Sequence, residues 1–281
     1  HRATASLSLR SAGGGAKSWA LGTKRLIVVR ADFDDLPGPP RDEAGEFTQS
    51  RLVQTVNGPV ADYFETTSYG AASVSLEASA ITEVLRLPDT AKSYAQEPVL
   101  QRLEADAKHS AENAGYNLSA YDRVLILVSS LYAVPNSRVG YSGYAWIGGN
   151  SSWFQGNFSA GLVAHELGHN LGLGHASLWR VPAGKTDPLD PAGQKEEYGH
   201  VYDVMGWSSL DSTHRNVFNP AFLHYLGWLP EQSVQTVTDG GRYRVYQYDH
   251  DTPDFSKTLG LRVPLGTQRA YWFSHRYRYE N

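Results

Sequence analysis

The chain contains no cysteine. Disulfides, thiol nucleophiles and cysteine-based metal sites are therefore excluded together. No run of 18 apolar residues occurs, so the sequence offers no segment able to span a membrane as a helix. A basic excess is also missing: 25 Lys+Arg stand against 29 Asp+Glu, for a formal charge of −4. Nothing here neutralises a phosphate backbone, so nucleic acid is not an expected partner. The opening HRATASLSLR carries no apolar signal segment, which fits either a cytoplasmic chain or a mature fragment whose leader has been removed. Methionine occurs once, at Met205.

What is present is a globular composition. Of 281 residues, 41% are hydrophobic and 19% charged, enough apolar side chain for a core and too much for wholesale disorder. This length suits one large domain, or one of about 200 residues with a small companion. Residues 1–22 are rich in Ser, Ala and Gly and read as a loose lead-in. Lys24 to Asp32 and Arg123 to Ser129 are short apolar runs that predict buried strands. Leu52, Val56, Val60 and Phe64 recur every four residues and predict one helix over Thr48 to Thr67. Ala72 to Ala78 and Ile81 to Leu87 read as strands, and Pro98 to Ala114 as a helix closed by Gly115. Tyr141 to Ile147 reads as a weak strand before the turn Gly148-Gly149-Asn150, and Ser159 to Leu171 as a helix. This alternation implies a mixed sheet with helices packed on it. Beyond residue 231 the texture turns to β, with SVQTVT and RYRVYQY predicted as two strands around Asp239-Gly240-Gly241, and further strands in KTLGLRVPL and RAYWFSHRYRY. The expected division is a lead-in over 1–22, a main domain over 23–230 and a small β segment over 231–281.

Residues 165 to 175 read HELGHNLGLGH. His165 and His169 are four apart, so a helix projects both imidazoles from one face, one turn apart. That spacing suits two ligands of a single Zn²⁺. Glu166 is rotated about 100° around the axis and would reach a water on the cation rather than the cation itself. Gly172 ends the helix, because glycine alone adopts left-handed backbone angles cheaply. The chain can then turn and return His175 as a third ligand, leaving one tetrahedral position open. Met205 follows 30 residues later in EYGHVYDVMGW.

Together HELGHNLGLGH and the later Met205 resemble the metzincin clan of zinc endopeptidases, in which a methionine-bearing turn passes beneath the zinc-binding histidines. Within that clan the chain is most similar to the gametolysin-like family, with the immune-inhibitor-like family next. The segments LIVVRADFDD, VADYFETTSYGAASVSLEA, GYAWIGGNSSWFQGNFSAGLVAHELGHNLGLGHAS, EYGHVYDVMG and NPAFLHYLGWL carry the similarity. The resemblance implies a twisted mixed sheet with an active-site helix and a Met-turn, followed here by the small β segment. It implies a secreted, monomeric zinc endopeptidase acting on protein or peptide substrates. The lack of cysteine departs from eukaryotic members and points to a bacterial enzyme. His200 stands where an acidic residue is expected after Tyr-Gly.

On this reading Zn²⁺ activates a water, Glu166 takes its proton as general base, and the edge formed by Tyr141 to Ile147 receives an extended substrate. Tyr198 and Tyr202 are candidates for oxyanion binding, although both precede the methionine and packing is the simpler role. His200 is a candidate further ligand or pH-sensitive group. Trp207, Tyr225 and Trp228 are candidate walls of the leaving-group pocket, or plain core aromatics. His1, His109, His214, His224, His250 and His275 show no ligand spacing. Asp32, Asp34 and Asp35 could bind Ca²⁺, though a solvated acidic loop is the simpler account. Three Asn-x-Ser sequences, at Asn117, Asn150 and Asn157, permit glycosylation but arise readily by chance. Two other functions share the motif: a catalytically silent binding or adhesion module, and a zinc amidase acting on a non-protein amide.

Overall fold

The strand Gly22–Asp32 (β1) is eleven residues long, and its last seven are all buried. A strand covered in this way on both faces is typical of a largely parallel sheet. The computed structural model supplies that sheet. It describes residues 6–7, 18–187, 190–207, 217–250, 252–266 and 269–276. Most of the expected lead-in lies outside these residues, as do His1 and His214. The chain forms two units, one from Thr23–Asp62 and Ser73–Gly172, the other from His1–Gly22, Tyr63–Ala72 and Leu173–Asn281.

The sheet of the first unit also contains Ala72–Ile81 (β2), Leu85–Arg86 (β3), Arg123–Val128 (β4), Gly143–Ala145 (β5) and Ser151–Gln155 (β6). Its order is β2-β1-β4-β6-β5, with β3 paired to β1. β1 with β4 and β4 with β6 run parallel, while β5 runs antiparallel to β6 with Tyr144 opposite Trp153. The class is mixed α/β with a mainly parallel central sheet and few helices.

Three local expectations need correction. The helix expected over Thr48 to Thr67 is two helices, Gln49–Thr55 (α1) and Ala61–Thr67 (α2). Gly58 sits at φ −99°, ψ −107°, and Pro59 lacks the N–H that would continue the ladder. All four residues of the expected apolar stripe are nevertheless buried. The break is used: the Asn57 amide accepts from the Leu76 N–H and donates to its carbonyl, at 2.8 and 2.9 Å, covering part of the β2 edge.

Second, β6 was not expected at all. SSWFQ lacks a β-branched run, yet all five residues are buried. Its polar side chains have partners. Ser151 bonds Glu104 and Lys108 of the helix Gln101–Asn113 (α3), and the Ser152 hydroxyl meets Asn170 at 3.0 Å. Gln155 accepts from the Leu131 N–H and donates to the Tyr141 carbonyl, both at 2.6 Å. Hydrogen-bonded polar groups cost little to bury, so hydrophobicity alone misses such a strand.

Third, no hairpin forms around Asp239-Gly240-Gly241. In the second unit Val234–Thr236 (β9) pairs in parallel with Gly260–Leu265 (β10), which pairs antiparallel with Arg269–Ser274 (β11) and through it with Ser6–Leu7. Residues 241–244 are exposed, so alternation there provides no face to bury against a neighbour. This unit also holds the hairpin Leu178–Arg180 (β7) with Gln194–Glu196 (β8). Its other helix is Pro220–Leu226 (α5), capped by the Asn219 side chain and closed by Gly227 at φ +77°. Phe218 stacks on Trp228 at 6.0 Å and meets Tyr63 edge-on at 5.4 Å, forming the aromatic part of the core.

Candidate metal centre

The helix Ala160–Asn170 (α4) carries the histidine pair. Val163, Ala164 and Leu167 are buried, which anchors the helix on its sheet. Its last turn is pinned by Asn170. That amide donates to the Ser151 carbonyl at 3.0 Å and accepts from Ser152 at 3.0 Å. The His169 carbonyl accepts from the N–H groups of Gly148 and Gly172, both at 2.8 Å. Gly172 adopts φ +87°, the left-handed angle at which a side chain would be strained.

The histidine rings meet as spacing dictates: the centroids of His165 and His169 are 4.7 Å apart and nearly perpendicular. One ring nitrogen from each of His165, His169 and His175 lies within 4.8 Å of the others. Three imidazole nitrogens so gathered could hold one metal ion. His200, a sequence candidate, is not in that group, nor are Asp32, Asp34 and Asp35. The aspartates are engaged elsewhere. Asp32 and Asp34 take Arg86, and Asp35 accepts from the N–H groups of Ala91 and Lys92.

Glu166 is buried, and its Oε2 has no hydrogen-bond partner. Burial pushes its carboxyl up to about 8. A carboxylate so placed is costly unless something polar or cationic comes to it. Its space depends on β5: a Cβ added at Gly143 would stand 2.9 Å from Oε1 and 3.2 Å from Cγ. Beyond β5 the described residues add no further strand, so β5 is the edge of this sheet.

His175 is held by its own surroundings. Its Nδ1 lies 2.7 Å from Glu197 Oε1, and the Tyr198 ring packs 3.8 Å from the imidazole centroid. The His175 contact holds the Glu197 carboxyl below its usual range. Tyr198 adopts φ +61°, an uncommon angle for a bulky residue. Next in the chain, the Ala176 N–H donates to the Met205 carbonyl at 2.8 Å, and the His200 N–H donates to the Ala176 carbonyl at 3.1 Å. Asp203 is fully buried and organises the turn, accepting from the Met205 N–H at 2.9 Å, and from the Asn219 N–H and amide at 2.7 and 2.8 Å. Burial lowers the pKa of His200, whose Nδ1 accepts from the Tyr202 N–H at 3.3 Å. Tyr202 meets the His200 ring edge-on at 6.2 Å. Among the leaving-group candidates, Trp207 is exposed whereas Trp228 is buried and donates to the Ala20 carbonyl.

Sequence reasoning did not single out Gly143, Asn170, Glu197 or Asp203. Only Asp203 left a readable trace: an Asp side chain readily accepts from the N–H two residues on and closes a turn. The other three act on residues 18 to 23 positions away in the chain. No protein-family model matches the chain, and a comparison with curated proteins finds no match.

Proposed function

We propose that the chain is a zinc-dependent endopeptidase of the secreted, metzincin-like type, closest to the gametolysin-like family. The observation that carries this reading is the gathering of His165, His169 and His175 within 4.8 Å, with Glu166 buried, its Oε2 without a hydrogen-bond partner, on the helix of the first two. Three neutral imidazoles suit Zn²⁺ better than the hard, oxygen-preferring cations. Three protein ligands rather than four leave a position open, the mark of a catalytic site. The motif HELGHNLGLGH and the later Met205 favour the metzincin type over other zinc hydrolases.

A divalent cation held there supplies Lewis acidity and an acidified water. The residues of the chain do the rest. Glu166 takes the proton of the attacking water and returns it to the leaving amine. Burial raises the affinity of that carboxylate for a proton. The open edge of β5 supplies main-chain donors and acceptors, so an extended peptide can add as a further strand. That geometry selects unfolded or flexible substrates.

The test is cleavage of casein and of a mixed peptide library, with metal content measured on the same sample. Stoichiometric zinc with cleavage that chelation abolishes and Zn²⁺ restores is the expected result. Zinc without peptide cleavage would transfer the site to a non-protein amide or to a binding role. A preparation that neither retains nor takes up a divalent ion would end the reading.

A further inference from the structure

The histidine at 175 differs from the other two in how it is placed. His165 and His169 sit on α4 and inherit their geometry from its backbone. His175 lies beyond that helix, in a stretch with no regular secondary structure. A side chain there keeps more rotamer freedom, and ordering it costs free energy that the helical pair does not spend. The contacts to Glu197 and Tyr198 restrict it from two directions. A carboxylate oxygen lies 2.7 Å from one edge of the ring, and a phenol ring covers its face at 3.8 Å. Both come from one dipeptide beside β8. The backbone adopts φ +61° at Tyr198 to present them, and strain of this kind persists where surrounding structure enforces it.

We propose that Glu197 and Tyr198 are positioning residues for His175, and that Glu197 fixes its tautomer so that Nε2 presents a lone pair to a cation. A carboxylate can accept a hydrogen bond and never donate one when ionised. Its partner Nδ1 must then carry the proton, which leaves Nε2 unprotonated and ready to ligate. The third ligand is thereby pre-organised before any ion arrives. This inference rests on the metal-binding half of the function proposed above and not on the hydrolysis.

The experiment measures Zn²⁺ affinity by chelator competition, without substrate, in the parent, Glu197→Ala, Glu197→Gln and Glu196→Ala. Nitrogen NMR of the metal-free proteins reads which His175 nitrogen carries the proton. Loss of such an outer partner weakens metal binding by about 10–100-fold, the loss expected for Glu197→Ala. Glu197→Gln should recover most of it, because the amide oxygen still accepts from Nδ1–H. Glu196→Ala removes the same charge one residue away and should stay within about 5-fold of the parent. His175 should show the Nδ1–H form in the parent and in Glu197→Gln, and lose it in Glu197→Ala. Parental affinity in Glu197→Ala overturns the inference and leaves the peptidase reading intact. So does a loss that Glu197→Gln fails to recover while the His175 tautomer stays unchanged. A graded loss of Zn²⁺ affinity in a protein that cleaves no peptide supports the inference and removes the peptidase.

Discussion

The N–H of Ala176 donates to the carbonyl of Met205 at 2.8 Å. The residue after the third imidazole is thus tied to the turn carrying the only methionine of the chain. That turn is tight. A Cβ at Gly206 would stand 2.0 Å from the His200 carbonyl oxygen, so no other residue fits there without moving backbone. The stretches that carry His175, His200 and Met205 are thus joined by main-chain hydrogen bonds through Ala176.

Met205 is fully buried. Met205→Ala should lose about 2–5 kcal/mol of stability, through lost apolar contact and the cavity left behind. Met205→Leu keeps volume and should cost less than about 1.5 kcal/mol. Thermal unfolding reads both. If the turn supports His175, zinc affinity falls with the alanine and holds with the leucine. Equal stability in the two variants would show that the methionine fills no packed space.

Glu166 is assigned the proton transfer. Glu166→Gln keeps the shape and removes the base, so zinc should remain bound while peptide hydrolysis falls by about 10²–10⁴-fold. Metal analysis and single-turnover cleavage on one preparation separate the two effects. The glutamine also replaces a buried carboxyl that has an unpartnered oxygen. The metal-free variant should therefore unfold no more readily than the metal-free parent. Parental turnover in Glu166→Gln would assign the base elsewhere.

Gly143 gives Glu166 its room. In Gly143→Ala the new methyl meets Oε1 at 2.9 Å and Leu162 Cδ1 at 3.1 Å, so the carboxylate must shift. Displacement of a catalytic group by about 1 Å can cost 10²-fold in rate. The expected signature is a fall in kcat with zinc affinity unchanged, since neither histidine of α4 is touched. A loss of zinc instead would mean that the whole helix had moved.

The parts of this site that the sequence discloses are local. HELGHNLGLGH is eleven consecutive residues, and helical periodicity with one glycine at φ +87° is enough to bring its rings together. The buried strands β1 and β4 were legible for a similar reason, because a parallel strand covered on both faces is a plain apolar run. Legibility ended where partners are distant. Ser151, Ser152 and Gln155 read as loop residues until Lys108, Asn170, Leu131 and Tyr141 are seen to satisfy them. Apolar spacing concealed the helix break, since the spacing survives it, although Gly58-Pro59 was a warning. The Asp239-Gly240-Gly241 turn failed as a hairpin signal because the partner of β9 begins 24 residues farther along, at Gly260.

Acid should weaken the fold through Asp32. Burial alone would raise the pKa of this carboxyl, but hydrogen bonds from Arg86 and from the Gly38 N–H outweigh it and the pKa is lowered. The geometry is bidentate, with Arg86 Nε at 2.7 Å and an Arg86 terminal nitrogen at 3.1 Å. A carboxyl with a depressed folded pKa contributes stability that is fully present above its unfolded value of about 3.9. That contribution disappears as pH falls through the lower, folded value. Asp42, held chiefly by Arg51, is lowered as well, so the loss below about pH 4 is shared. Arg86→Met leaves Asp32 buried with the Gly38 N–H as its remaining donor from this group. Arg86 is about half exposed, so solvent screening limits the cost at pH 7. Once Asp32 is protonated the arginine has little left to stabilise, so parent and variant should converge as pH falls through the lowered folded value. Denaturant midpoints at pH 7 and pH 2.5 read the difference. A gap of the same size at both pH values would mean that Arg86 acts through packing and not through the carboxylate.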